Sequence, residues 1–155
     1  MNEYLGMLHF LGGTSIALVL GVLIGIERQW RHRTAGIRTT ALVSLGSAIF
    51  TSLSVVMHGS SAEMARIAAQ VISGVGFLGG GIIMKDGLAI RGINTAATIW
   101  CTAGVGALCG LGFYIHGTIA AIMILLSNIF LRPLAYRLDA AHSYPDDELD
   151  QEEKP

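Results

Sequence analysis

The sequence predicts an all-α integral membrane protein of about five transmembrane helices. Three observations carry that prediction. Of 155 residues, 52% are hydrophobic and 14% charged, where a soluble domain covers its surface with about 25% charged residues. Mean hydropathy is +0.59. Twenty glycines stand against three prolines. Glycine weakens helices in water but is common where membrane helices approach closely.

Uncharged stretches order the elements. Residues 4–26 carry no charge and are long enough to cross about 30 Å of hydrocarbon. They lack a basic leader and end in arginines, which reads as a retained span and not a cleaved signal. Residues 27–38 are polar, with four arginines. Residues 39–57 make the second span, 58–66 a polar loop, and 67–84 a third, glycine-dense span. After the polar stretch 85–94 come a fourth span at 95–111 and a turn at 112–117. The fifth span has its core at 118–131 and ends at Arg132. That core is short, so its helix is expected to begin near Phe113.

The expected organisation is one transmembrane domain, residues 1–138, followed by an acidic cytoplasmic tail, residues 139–155. The net charge of −1 hides this division. Residues 1–138 hold nine Lys/Arg and four acids, and residues 139–155 hold seven acids and one Lys. The tail has no apolar run to bury, which predicts disorder.

Lys and Arg in short loops set orientation. With the N-terminus outside, Arg28, Arg31, Arg33, Arg38, Lys85, Arg91, Arg132 and Arg137 all fall inside, and Arg66 alone falls outside. The N-terminus is therefore expected outside and the C-terminus in the cytoplasm. A weak repeat accompanies this topology. GVLIG at 21–25 parallels GFLGG at 76–80, and GIRTTA at 36–41 parallels GINTAA at 92–97. The pattern fits a parallel repeat of helices 1–2 and 3–4, or chance likeness between glycine-rich segments.

Glu27 leaves the hydrocarbon beside Arg28 and Arg31, and a carboxylate at that depth needs a partner. Arg38 in the following loop is the expected one. The pair either pins helix ends together or forms part of a binding site. Thr39 and Asn94 fall where helices two and four begin, and both are helix-capping types. Thr95 opens the fourth span. Two helix N-termini beside Arg38 and Arg91 make either ordinary caps or an anion site for a lipid headgroup, phosphate or partner carboxylate. Glu27, Arg28, Arg31, Arg38, Thr39, Arg91, Asn94 and Thr95 are thus the candidate functional cluster.

The glycine groups read first as packing. Gly21 with Gly25, Gly76 with Gly80, and Gly106 with Gly110 each place small residues on one helix face, within one chain or between copies in a homo-oligomer. Gly79, Gly80 and Gly81 in a row also weaken the helix and allow a kink. Trp30 and Trp100 suit interfacial anchoring. His9, His58 and His116 map to the external side, where interfacial placement competes with acid sensing. Cys101 and Cys109 lie about 12 Å apart on one helix, too far for a mutual disulfide, and read as small core residues.

The motifs ERQWR (27–31), AGIRT (35–39), GFLGGG (76–81) and RGINTAATIW (91–100) strongly resemble the MgtC/SapB family of bacterial membrane proteins. The resemblance covers about residues 16–131 and is nearest the MgtC virulence branch. It implies a multi-pass protein of the bacterial inner membrane, linked to virulence, growth in low magnesium and survival in macrophages. It further implies a regulator acting through other inner-membrane proteins, with inhibition of the F-type ATP synthase as one route. Family members usually continue into a soluble C-terminal domain of ACT-like fold. This sequence ends instead after its acidic tail, so the work of that domain is not expected here.

The runner-up is a magnesium transporter or channel. Magnesium needs oxygen ligands along its path, yet Glu3, Glu27, Glu63 and Asp86 all sit at or beyond helix ends. The two basic loops hold six Lys/Arg against Glu27 and Asp86, a field that repels divalent cations. An enzyme is a third class, but no Ser/His/Asp set, P-loop or Cys/His metal spacing occurs. The GxGxxG string at 74–79 lies inside an apolar span and not after a soluble strand. No catalytic residue, metal, cofactor or nucleic-acid partner is expected. The partners expected are the bilayer, other membrane proteins, and an anionic lipid or phosphate.

Overall fold

A computed structural model describes residues 2–86 and 89–142. Five helices follow in order: α1 Asn2–Trp30, α2 Ile37–Val56, α3 Ser61–Ile82, α4 Ile93–Gly110 and α5 Tyr114–His142. Four stretches are long and apolar enough to cross a membrane: Glu3–Trp30, Ile37–Val56, Ser61–Ile82 and Tyr114–Leu131. The protein is thus an all-α, multi-pass membrane protein, as its composition requires.

α4 is shorter and carries three threonines, and its neighbours hide that polarity. Thr95, Thr98, Thr102, Gly106 and Gly110 are all buried. The helix packs against α1, α2 and α3. Its threonines need no water. Thr98 Oγ1 donates to Asn94 O at 2.8 Å, and Thr102 Oγ1 to Thr98 O at 2.7 Å.

Small residues let the backbones meet. Gly21 lies against Ser44 and Ala41, and Gly25 against Thr40 and Ile37. Gly106 lies against the Ser44 backbone and Gly110 against Ala48 and Thr51. Hydroxyls cross the same seams: Ser44 Oγ donates to Ala17 O at 2.7 Å, Thr51 Oγ1 to Ala107 O at 3.2 Å, and Ser52 Oγ to Gly110 O at 3.0 Å. Such interhelical bonds contribute roughly 0.6–2 kcal/mol each in a bilayer.

The third glycine group behaves differently. Gly79 faces Ala96, but a side chain added at Gly76, Gly80 or Gly81 would meet nothing within 4 Å. These three do not pack inside the chain. Nor does the run of three break the helix, which continues to Ile82.

Other boundaries shift for local reasons. α3 begins at Ser61 because Ser60 and Glu63 form a reciprocal capping box: Ser60 N donates to Glu63 Oε2 at 2.7 Å, and Glu63 N to Ser60 Oγ at 3.4 Å. The polar stretch after α3 forms an antiparallel hairpin, β1 Met84–Asp86 and β2 Ala89–Arg91, with Lys85 opposite Ile90. Gly92 then turns the chain into α4 at φ +93, with its Cα beside the Ile82 carbonyl, where a Cβ would clash.

The chain divides into a compact unit ending at Ile124 and a second unit from Leu125 onward. In the second, α5 continues through Pro133 to His142, beyond the expected tail boundary at 139. Pro133 lacks the N–H that would bond four residues back. The remainder of the acidic tail, residues 143–155, lies outside the described residues.

Candidate functional site

Arg28 is the centre of the polar end of the first unit. α1 carries it past the apolar run, and its side chain is 4% exposed. Nε donates to Ala35 O at 2.7 Å, Nη1 to Thr98 Oγ1 at 3.0 Å, and Nη2 to Thr95 Oγ1 at 2.8 Å. One guanidinium therefore ties the end of α1, the loop before α2 and the first turns of α4. The planar fork of arginine suits this task, which a lysine ammonium could not perform.

All three of these acceptors are neutral. Burying a cation costs several kcal/mol unless hydrogen bonds satisfy it, and bonds to a charged donor are the stronger kind. The geometry also concentrates positive potential. The starts of α2 and α4 present their positive dipole ends near this guanidinium, and Gly36 and Gly92 cap them without a side-chain bond. Gln29 Oε1 accepts from Ile37 N at 3.3 Å and serves the start of α2.

Glu27 pairs with Arg31, where Arg38 was expected. Arg31 Nε lies 2.6 Å from Glu27 Oε1, one helical turn away on α1. The i,i+4 spacing puts both on one face, whereas Arg38 is exposed at the start of α2. Thr39 and Asn94 are not caps. Both sit inside the first turns of their helices and are exposed. Arg91 reaches Asp86 across the hairpin at 3.5 Å, with both side chains exposed.

The structure thus joins Arg28 with Thr95, and Glu27 with Arg31. Arg38, Thr39, Arg91 and Asn94 stand exposed around them and do not close into a single network. Thr98, Gln29 and the Ala35 carbonyl complete the site, and sequence reasoning missed all three. The spacing of Thr95 and Thr98, three residues apart on α4, was the available signal. Among the described residues no group of three or more His, Cys, Asp or Glu could hold a metal.

Residues 15–137 match the family model described as the MgtC family. This chain belongs to the MgtC family. Protein MgtC of Salmonella typhimurium strain LT2 is 50% identical over 139 residues, covering 90% of this chain and 59% of that protein. Protein MgtC of Brucella abortus strain 2308 is 52% identical over 123 residues, covering 79% of this chain and 51% of the relative. An uncharacterized protein of Synechocystis is 51% identical over 121 residues, covering 78% and 51%. The chain therefore spans between half and three fifths of the length of these curated relatives. No solved structure matches it. MgtC membership and the candidate spans together make it a multi-pass protein of the bacterial inner membrane.

Proposed function

We propose that this MgtC-family chain is a regulator that binds other inner-membrane proteins through its Arg28 end, which faces the cytoplasm. It supports growth in low magnesium and survival in macrophages, and the F-type ATP synthase is the partner we favour. The observation that carries this reading is Arg28 itself. A buried guanidinium holds three chain segments together beneath an exposed rim of Arg38, Thr39, Arg91 and Asn94. A rigid base under an exposed, basic rim suits contact with an acidic protein surface or an anionic headgroup.

Magnesium transport is the weaker reading. The α1, α2 and α4 seams are closed by backbone contact at Gly21, Gly25, Gly106 and Gly110. The hydroxyls in those seams are spent on carbonyls, and the loops around Arg28 are net positive.

The test is affinity capture of the full chain from mildly solubilised membranes, with the rim variant Arg38→Gln/Arg91→Gln alongside. Recovery of ATP synthase subunits by the parent and loss by the variant supports the regulator. Magnesium flux into liposomes carrying the purified chain, with no partner captured, would overturn it.

A further inference from the structure

α1 and α2 touch at Gly21 and Gly25 but part toward the start of α1 and the end of α2. Between them opens a cavity of about 1290 Å³, larger than the roughly 300–1,000 Å³ of ordinary small-ligand sites. Phe10, Phe50, Leu53 and Val56 make its apolar wall. Glu3, His9 and His58 also line it. Glu3 and His58 lie at the helix ends, where a bilayer meets water, and both are exposed.

Charge says what belongs there. The lining contains a carboxylate and two imidazoles, with no Lys or Arg, the reverse of the Arg28 end.

We propose that this cavity is a phospholipid site selective for a zwitterionic aminophospholipid, of which phosphatidylethanolamine is the type. The acyl chains fill the cleft between α1 and α2. The ammonium pairs with Glu3, and the phosphate accepts from the imidazole N–H of His58. An anionic lipid without an amine would set its phosphate near Glu3 uncompensated. A purely apolar helix from another protein would leave Glu3 and His58 facing it unserved. The site lies at the end of the molecule away from Arg28, and it rests on the membrane-spanning fold and not on the regulatory reading.

The test is native mass spectrometry of the full chain, exchanged into detergent with equimolar phosphatidylethanolamine and phosphatidylglycerol. The expected result is a retained phosphatidylethanolamine adduct. Leu53→Trp, which fills the cleft, should lose it. Glu3→Gln, an exposed change that leaves packing untouched, should still retain lipid but lose the preference between the two headgroups. Equal retention of both lipids by the parent chain would overturn the proposal, as would an unchanged preference in Glu3→Gln. Retention of the adduct by a folded Leu53→Trp protein would place the lipid elsewhere and also overturn it. Should Leu53→Trp fail to fold, the Glu3→Gln comparison decides alone.

Discussion

Arg28 Nη2 donates to Thr95 Oγ1 at 2.8 Å, joining residues 67 positions apart in the chain. The bond couples the last turns of α1 to the first turn of α4, and it works only while Thr95 keeps its hydroxyl. Both groups are buried, so neither can exchange its partner for water.

Thr95→Val should therefore destabilise the protein by about 2 kcal/mol, the range for a lost hydrogen bond to a charged group. The remaining bonds to Ala35 and Thr98 hold the cation only in part. Arg28→Met in the same chain removes the buried charge and should recover much of the loss, because a buried ion replaced by an apolar group is often tolerated. Unfolding in mixed micelles, followed by circular dichroism, measures both. Equal instability of the single and double variants would mean that the hydroxyl matters for packing and not for Arg28.

The Glu27 pair makes a contrasting prediction. Its partner Arg31 is one turn away and side-chain exposure is 12% for Glu27 and 33% for Arg31, so the pair is partly screened. Arg31→Gln should cost about 1 kcal/mol or less. Arg38→Gln should change stability by no more than about 0.5 kcal/mol, as exposed substitutions do. The same unfolding series ranks them, and a large loss from Arg38→Gln would mean that Glu27 uses the loop arginine after all.

Much of this fold was legible because the bilayer enforces it. Long uncharged stretches located α1, α2 and α5, and glycine spacing located the tight seams at Gly21, Gly25, Gly106 and Gly110. Four things were missed, each for a physical reason. The hairpin before α4 is six short-strand residues without an apolar alternation. The Ser60–Glu63 capping box was readable as Ser-x-x-Glu, but the polarity of that stretch made it resemble a loop. Arg31 was missed as a partner of Glu27 because a loop arginine looked freer than one already committed to the helix. The helical spacing of Glu27 and Arg31 held the answer. Arg28 and Thr95 were both candidates, but their bond was not read, because threonines also occur as ordinary small packing groups and Ala35 contributes only its backbone carbonyl.

Glycine substitutions separate the two kinds of glycine face. Gly106→Ala and Gly110→Ala put a methyl group against the α2 backbone, so α2 and α4 must part and abundance in the membrane should fall sharply. Gly76→Ala and Gly80→Ala meet open space and should add up to about 1 kcal/mol of helix stability. Immunoblotting of membrane fractions reads the difference. A collapse of abundance for Gly76→Ala would reveal a close partner on α3 outside this chain.

Orientation can be read by cysteine labelling. Thr34→Cys serves the loop after α1 better than His32, whose φ of 53° is uncommon for a side-chain-bearing residue. Ser60→Cys serves the opposite end. With Cys101 replaced by Ala, an impermeant reagent added outside should label position 60 and spare position 34. Cys109 is buried and should stay silent. Labelling at 34 would invert the topology and move Arg28 away from the cytoplasm.

Asn94 gives the sharpest test of the contact surface. It is exposed in the first turn of α4, its side chain makes no capping bond, and its carbonyl accepts from Thr98. Asn94→Ala keeps that carbonyl and slightly favours the helix, so folding and abundance should be unchanged within about 0.5 kcal/mol. If the rim binds a partner, the lost amide should nonetheless impair growth in low magnesium and inside macrophages, normalised to membrane abundance. Thr95→Val, one residue on, should do the opposite: it lowers abundance, and its activity per molecule stays near normal in whatever fraction folds. The pair separates contact from scaffold, because Asn94 faces outward and Thr95 faces Arg28. An Asn94→Ala protein that is abundant and fully active would show that this part of the rim touches nothing that matters.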